Sequence, residues 1–83
     1  MATMVNRKDL AAWLERRGYV RDLDRTGGHL HYKRLVHGRW EHLAIPGHGP
    51  LSIPPPTMGA IMRKLKAYGF DKQVVYDEVG RGL

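Results

Sequence analysis

The 83-residue sequence predicts an α+β fold: a helix, three antiparallel strands and a second helix, stacked as a two-layer sandwich. Three observations predict it. Apolar residues recur at helical spacing in residues 6–17 and again in residues 58–68. Between these segments, three short runs are separated by turn signals and carry their apolar residues on alternate positions. Each helical segment closes on a glycine followed by an aromatic residue, Gly18-Tyr19 and Gly69-Phe70.

In the first segment Leu10, Trp13 and Leu14 share one face, with Arg7, Lys8, Glu15 and Arg16 largely on the other. Asn6 is an N-cap residue, Asp9 stands at the third helical position as in a capping box, and Val5 is placed to staple onto Leu10. Residues 19–23 read as a short strand that runs into the turn-prone Asp24-Arg25-Thr26-Gly27-Gly28. In His29–Val36, Leu30 and Tyr32 fall on one face and His29, His31 and Lys33 on the other. His37-Gly38 is a turn signal, and residues 39–45 form a third strand carrying Leu43 and Ile45. Apolar residues on one side only imply a sheet covered by helices on one face.

Residues 46–56 read as a loop, because five of the eleven are proline. Thr57 is the expected N-cap of a helix over residues 58–68. Met58, Ile61, Met62, Leu65 and Tyr68 make its core stripe, and Arg63, Lys64 and Lys66 face outward. A single domain is expected over residues 1–70. The tail, residues 71–83, is expected to add a short edge strand through Val74, Val75, Tyr76 and Val79 or to dock a partner, with its end frayed.

Composition narrows the function classes. There is no cysteine, which excludes disulfides, cysteine metal sites and thiol catalysis. No apolar run approaches the ~20 residues of a membrane helix, and the first residues lack the apolar stretch of a signal peptide. A soluble cytoplasmic protein that engages no membrane is expected. Fourteen Lys and Arg against eight Asp and Glu give a net charge of +6. Through Phe70 there are twelve basic and five acidic residues, hence +7; the tail carries −1. A polyanion partner, nucleic acid above all, is expected on the body and not on the tail.

All five histidines lie within residues 29–48. They could be polar positions on a solvated sheet face. His29 and His31 could join His42 or His48 around a metal, but without cysteine and with Glu41 as the only acid in that window the ligand set is poor. Alternatively, one imidazole could work as a general acid or base beside cations that hold phosphate. Gly27 and Gly28 precede His29, so the backbone there can approach a ligand closely and leave the imidazole at an open strand edge. Imidazoles exchange protons near neutrality, enough to take a proton from a ribose 2′-hydroxyl or give one to a leaving 5′-oxygen. Lys33 shares the strand face of His29 and Arg25 precedes the turn, so both are candidates to hold phosphate.

From about Val5 to Phe70, with Asn6-Arg7-Lys8-Asp9-Leu10, Gly18-Tyr19, Gly27-Gly28-His29-Leu30-His31-Tyr32, Ile45-Pro46-Gly47-His48 and Tyr68-Gly69-Phe70 in that order, the chain resembles the HicA family of toxins. Asn6-Arg7-Lys8-Asp9-Leu10 and Leu14-Glu15-Arg16-Arg17-Gly18-Tyr19 are similar to the family's opening helix and its Gly-aromatic exit. Gly27-Gly28-His29-Leu30-His31-Tyr32 is similar to its Gly-Ser-His-x-x-Tyr segment, which places His29 on the catalytic histidine. Ile45-Pro46-Gly47-His48 resembles Val-Pro-x-His, and Thr57, Ile61 and Tyr68-Gly69-Phe70 resemble the closing helix. The resemblance implies a double-stranded-RNA-binding-domain-like fold and a metal-independent endoribonuclease, an mRNA interferase of a toxin–antitoxin module. His29 would be its catalytic residue, supported by Gly27, Gly28, Arg25, His31, Lys33 and His48. It needs no cofactor, and its partners would be mRNA and a HicB-like antitoxin protein. Two departures stand out: Gly28 replaces the family's usual serine, and residues 49–56 are proline-rich where the family commonly carries lysine. A non-catalytic RNA- or nucleic-acid-binding module on the same scaffold, phage-encoded or chromosomal, is the alternative, and an adaptor whose basic face meets an acidic protein is a third reading.

Overall fold

Capping chemistry sets both ends of the first helix. In a computed structural model that describes residues 4–25 and 27–83, Val5–Asn6 form strand β1 and Arg7–Arg16 form α1. The Asn6 side chain accepts the Lys8 backbone N–H at 2.8 Å, and Asp9 lies in the first turn, at the positive end of the helix dipole. At the far end Gly18 takes φ +93°, a region that favours glycine. The N–H groups of Gly18 and Tyr19 then donate to the carbonyls of Glu15 and Leu14 at 3.1 and 3.0 Å, the two bonds of a Schellman motif.

Strands β2 (Val20–Arg21), β3 (His29–Val36) and β4 (Arg39–Pro46) form an antiparallel sheet in that order. His37 and Gly38 join β3 to β4 with φ of +50° and +77°, the geometry of a two-residue type I′ hairpin turn closed by the Val36–Arg39 pair. β2 is shorter than residues 19–23 because both ends of that stretch are used otherwise. Tyr19 turns into the core as part of the helix cap, and the chain leaves the ladder at Asp22, whose N–H makes a last bond to the His31 carbonyl at 2.8 Å. Thr26 of the expected turn lies outside the described residues. Tyr32, Leu43 and Ile45 are buried on the inner face, packed with Leu10, Trp13 and Leu14 of α1.

Residues 46–56 hold more structure than a loop. Ser52–Ile53 form β5, which pairs antiparallel with β1 through Val5–Ile53 and Asn6–Ser52. The Arg7 N–H extends this ribbon to the Leu51 carbonyl at 2.8 Å. Helix α2 spans Pro55–Ala67, starting three residues earlier than expected. Pro55 and Pro56 occupy its first two positions, where a missing N–H costs nothing and the fixed φ already suits a helix. Pro54, not Thr57, is the N-cap: it has no side-chain cap, and its carbonyl accepts from Met58 at 2.9 Å. Met58, Ile61, Met62 and Leu65 are buried as expected. Gly69, at φ +97°, ends α2 in a second Schellman motif, with Phe70 N–H donating to the Leu65 carbonyl at 2.9 Å.

The tail is a helix and not an edge strand. Lys72–Arg81 form α3, capped by Asp71, whose carboxylate accepts the Val74 N–H at 3.1 Å. Val75 and Val79, four apart, are buried in the common core, while Val74 is exposed. The Trp13 indole N–H and the Arg17 guanidinium both donate to Glu78 Oε1, at 3.1 and 2.8 Å. Arg17 also donates to the Leu83 carbonyl at 2.9 Å, so the end expected to fray is tied to α1. Residues 71–83 therefore belong to the same folded unit as the rest. Among the described residues no helix is long and apolar enough to cross a membrane.

An ion pair lies under the sheet, its glutamate buried and its arginine half-buried. Glu41 Oε1 accepts from Arg34 Nε at 3.1 Å, from Arg34 Nη2 at 2.8 Å and from the Tyr19 hydroxyl at 2.6 Å. Arg34 Nη1 donates to the Arg17 carbonyl at the end of α1, at 2.9 Å. Its guanidinium carbon lies 4.7 Å from the Tyr19 ring centroid and 5.1 Å from that of Phe70. Burial and the hydrogen bond to Glu41 push the Tyr19 phenol well above its ordinary range.

Two measurements check the docking of α3. Val75→Ala should lower unfolding stability by about 1–3 kcal/mol, as for other truncations in a packed core, and no loss in urea titration would mean that α3 is not packed. Hydrogen bonds from Arg17 and Trp13 hold the Glu78 carboxyl below the usual glutamate range. A carboxyl that titrates lower when folded contributes stability that is complete above its unfolded pKa and is lost as pH falls through its folded pKa. The wild type should therefore lose more stability than Glu78→Gln on acidification through and below the carboxylate range. Parallel pH profiles of the two proteins would remove Glu78 from this role.

Candidate nucleic-acid site

The two long strands approach each other closely at the end opposite their hairpin. His29 pairs with Pro46, and one residue further the Gly47 N–H donates to the Gly28 carbonyl at 3.0 Å. A Cβ on Gly47 would lie 2.6 Å from that carbonyl oxygen, so only glycine fits without moving backbone. A Cβ on Gly28 would lie 2.7 Å from His48 Nε2. The imidazole of His48 thus occupies the space that a serine side chain would start from, which gives Gly28 a local reason. His48 is thereby packed against the residue that precedes His29.

His29 itself is exposed, but β3 is the central strand of its sheet and not an edge. The imidazole is open because β2 stops short: its last ladder bond reaches His31, and beyond it His29 has only β4 beside it. The His31 ring lies 6.5 Å from that of His29, centroid to centroid. Gly27, Gly28, His29, His31 and His48 are therefore assembled at one end of the sheet. Among the described residues no three His, Asp or Glu side chains are grouped closely enough to hold a metal ion.

His29 lines an open cleft of about 290 Å³ between β4 and α2, with Leu43, Ala44, Thr57, Ala60, Ile61 and Lys64. Thr57, Ala60, Ile61 and Lys64 follow the i, i+3, i+4, i+7 spacing of one helix face. The small Ala60 keeps the cleft open. Lys64 makes no ion pair among the described residues, and α2 contains no acidic residue. Lys64 was expected merely to face outward; the sequence signal for its role was a small residue between a hydroxyl and a cation on one helical row.

Arg25 and Lys33 are not assembled with His29. Both are drawn to the buried Asp22, Arg25 Nε at 3.4 Å and Lys33 Nζ at 3.7 Å, and Lys33 Nζ also lies 5.1 Å from the Trp40 ring centroid. Four residues along a strand also separate Lys33 from His29 by ~13 Å. His42 serves the scaffold. Its backbone N–H donates to the Tyr68 hydroxyl at 3.1 Å, which in turn donates to the His42 carbonyl at 2.9 Å, so α2 closes the free edge of β4 there.

The arrangement joins the exposed His29 imidazole, the His31 ring 6.5 Å from it and, across a small cleft, the Lys64 ammonium, which makes no ion pair among the described residues. Such a set can move a proton and hold an anion at once. No family model, curated protein or solved structure matches the chain.

Substitutions at the two close-approach glycines separate scaffold from site. Gly47→Ala should cost about 1–3 kcal/mol, because its Cβ meets backbone. Gly28→Ala should change stability by no more than about 0.5 kcal/mol while shifting the His48 ring resonances, because its Cβ meets a side chain that can turn away. Equal effects of the two on stability and on His48 would contradict this geometry.

Proposed function

We propose that the chain is a HicA-like endoribonuclease, an mRNA interferase in which His29 is the general acid/base. The observation that carries the proposal is the placement of an exposed His29 in one cleft with Lys64, which makes no ion pair among the described residues, beside a ladder end that also holds His48. The resemblance of residues 27–32 to the family's histidine segment points the same way. So does the order helix, three-stranded antiparallel sheet, helix, which supports the double-stranded-RNA-binding-domain-like scaffold.

In this reading, His29 takes the proton of a ribose 2′-hydroxyl. The 2′-oxygen attacks the adjacent phosphorus, the bond to the 5′-oxygen breaks, and a 2′,3′-cyclic phosphate and a 5′-hydroxyl result. The leaving oxygen takes its proton from an imidazolium, a role within reach of His31, whose ring lies 6.5 Å from that of His29. Lys64 faces the charge that develops on the phosphoryl oxygens, and supplies the cation that residues 49–56 lack. Every step uses groups of this chain and the RNA. The cytoplasm, where mRNA is the substrate, is the matching compartment, and a HicB-like antitoxin would silence the enzyme most simply by covering His29.

The test is His29→Ala. Cleavage should fall by roughly 10²–10⁴-fold, the usual contribution of a positioned acid or base. Stability should change by no more than about 0.5 kcal/mol, since an exposed side chain is removed. RNA affinity should change little and should depend on salt with a slope of about one per phosphate contact. His31→Ala and His48→Ala should lose less activity. Equal cleavage by wild type and His29→Ala would move the site elsewhere. A wild type that binds RNA and cleaves none would leave the binding-module reading in place, a reading to which the missing hydroxyl at Gly28 gives some support.

A further inference from the structure

We propose that the cleft between β4 and α2 is a nucleotide subsite, which takes one nucleobase of the RNA against Leu43, Ala44, Ala60 and Ile61 and the adjoining phosphate on Lys64. This rests on the reading of the chain as an RNA-cleaving protein and specifies where its substrate is gripped.

The cleft's size selects the occupant. About 290 Å³ is at the small end of the roughly 300–1,000 Å³ usual for small-molecule sites, enough for one ring system and too little for a peptide helix or a duplex. Its lining selects the chemistry. The exposed Ala44 and Ala60 offer apolar contact above the nearly buried Leu43 and Ile61 that floor the cleft, while Thr57, His29 and Lys64 supply the polar groups. A nucleobase matches that combination, because its faces are apolar and its edge bonds to a hydroxyl or an imidazole. Charge selects what the base is attached to. Arg63, Lys64 and Lys66 lie on α2 without an acid in the helix and without an ion pair among the described residues, so the chain that continues from the cleft should be anionic.

Position connects the subsite to the reaction. His29 closes one side of the cleft, so a base seated there holds its own ribose and phosphate near the imidazole. Seating the base fixes the 2′-hydroxyl and the phosphate as one unit, which makes the attack effectively unimolecular. The cleft would thus contribute to kcat as well as to binding, and any nucleotide preference of cleavage would be set by Ala44, Thr57, Ala60 and Lys64.

The experiment titrates the folded protein with each ribonucleoside 3′-monophosphate and follows backbone amide shifts, in the wild type, Ala60→Leu and Ala67→Leu. Ala60 is exposed in the cleft; Ala67 is exposed on the same helix outside it, so both variants should fold. Shifts should centre on His29, Ala44, Ala60, Ile61 and Lys64. Binding should weaken by roughly tenfold or more in Ala60→Leu, the scale at which added methylenes discriminate in an apolar pocket, and should persist in Ala67→Leu. Shifts confined to Arg63, Lys64 and Lys66, equal in all three proteins, would reduce the site to general anion attraction and overturn the proposal, as would the absence of shifts. RNA cleavage is measured alongside. Nucleotide shifts in the cleft without any cleavage would leave the subsite standing and remove the nuclease. Cleavage by Ala60→Leu at the wild-type rate and preference would leave the nuclease and remove the subsite.

Discussion

The ion pair of Arg34 and Glu41 fixes how the helices meet the sheet. Taking an ion pair largely out of water is costly, and it is tolerated only where the remaining hydrogen-bonding groups are also satisfied. Here one Glu41 oxygen takes three donors, two from Arg34 and one from Tyr19, and the fork of Arg34 has a nitrogen left for the Arg17 carbonyl. That last bond fills an orphan acceptor at the end of α1. The guanidinium also lies against Tyr19 and Phe70, the two aromatic residues that follow the glycines closing α1 and α2. Both Gly-aromatic exits therefore deliver a ring to the same cation. A cross-strand pair on β3 and β4 thus fixes the ends of both helices over the inner face of the sheet.

The position of this knot shapes what the rest of the molecule can do. It lies toward the hairpin end of β3 and β4, and His29 lies at the other end, five residues away along β3. At the knot the strands are covered by helix ends. At the far end β2 has already left the ladder, Pro46 offers no N–H, and two glycines carry the last backbone contact. The sheet is rigid where it is locked and open where the imidazoles collect. Helix α2 serves both ends. Its buried row of Met58, Ile61, Met62 and Leu65 anchors it to the core, and the adjoining row of Thr57, Ala60, Ile61 and Lys64 forms the cleft wall. Ile61 belongs to both rows, so the packing that folds the protein also sets the width of the cleft.

Local signals were legible in the sequence, and pairings across long separations were not. The Asn6 cap, both glycine exits, His37-Gly38 and the alternation in His29–Val36 each depend on residues a few positions apart, and each formed as read. β1 and β5 are two residues each, paired across 46 positions at Asn6–Ser52 and 48 at Val5–Ile53, and too short for any periodicity to show. In the tail, Val74, Val75 and Val79 are compatible with either a strand or a helix. The helix is decided by Asp71 as a cap and by Glu78 reaching Trp13 and Arg17, over 60 positions away. At the candidate site, His29 and its glycines could be read from their neighbours. Lys64 could not, because its spacing fits a solvated helix face equally well until β4 is placed beside it.

The folded arrangement also redistributes the excess charge. Arg17, Arg25, Lys33, Arg34 and Arg81 are paired with Glu78, Asp22, Asp22, Glu41 and Asp77, so these cations are compensated locally. Among the described residues Arg63, Lys64 and Lys66 make no ion pair, nor do Arg21 and Arg39 on the sheet, but only on α2 do three such cations fall within four positions with no acid in the same element. Exposed like charges without partners dominate the field that a polyanion meets, because paired ones cancel within a Debye length of about 10 Å. Under the proposed function, the phosphate chain would thus follow α2 and cross the cleft at Lys64, bringing a ribose to His29 from the helix side. The histidine-bearing sheet face would then be a boundary of the RNA path, and the imidazole at its open end would be the one that the path reaches.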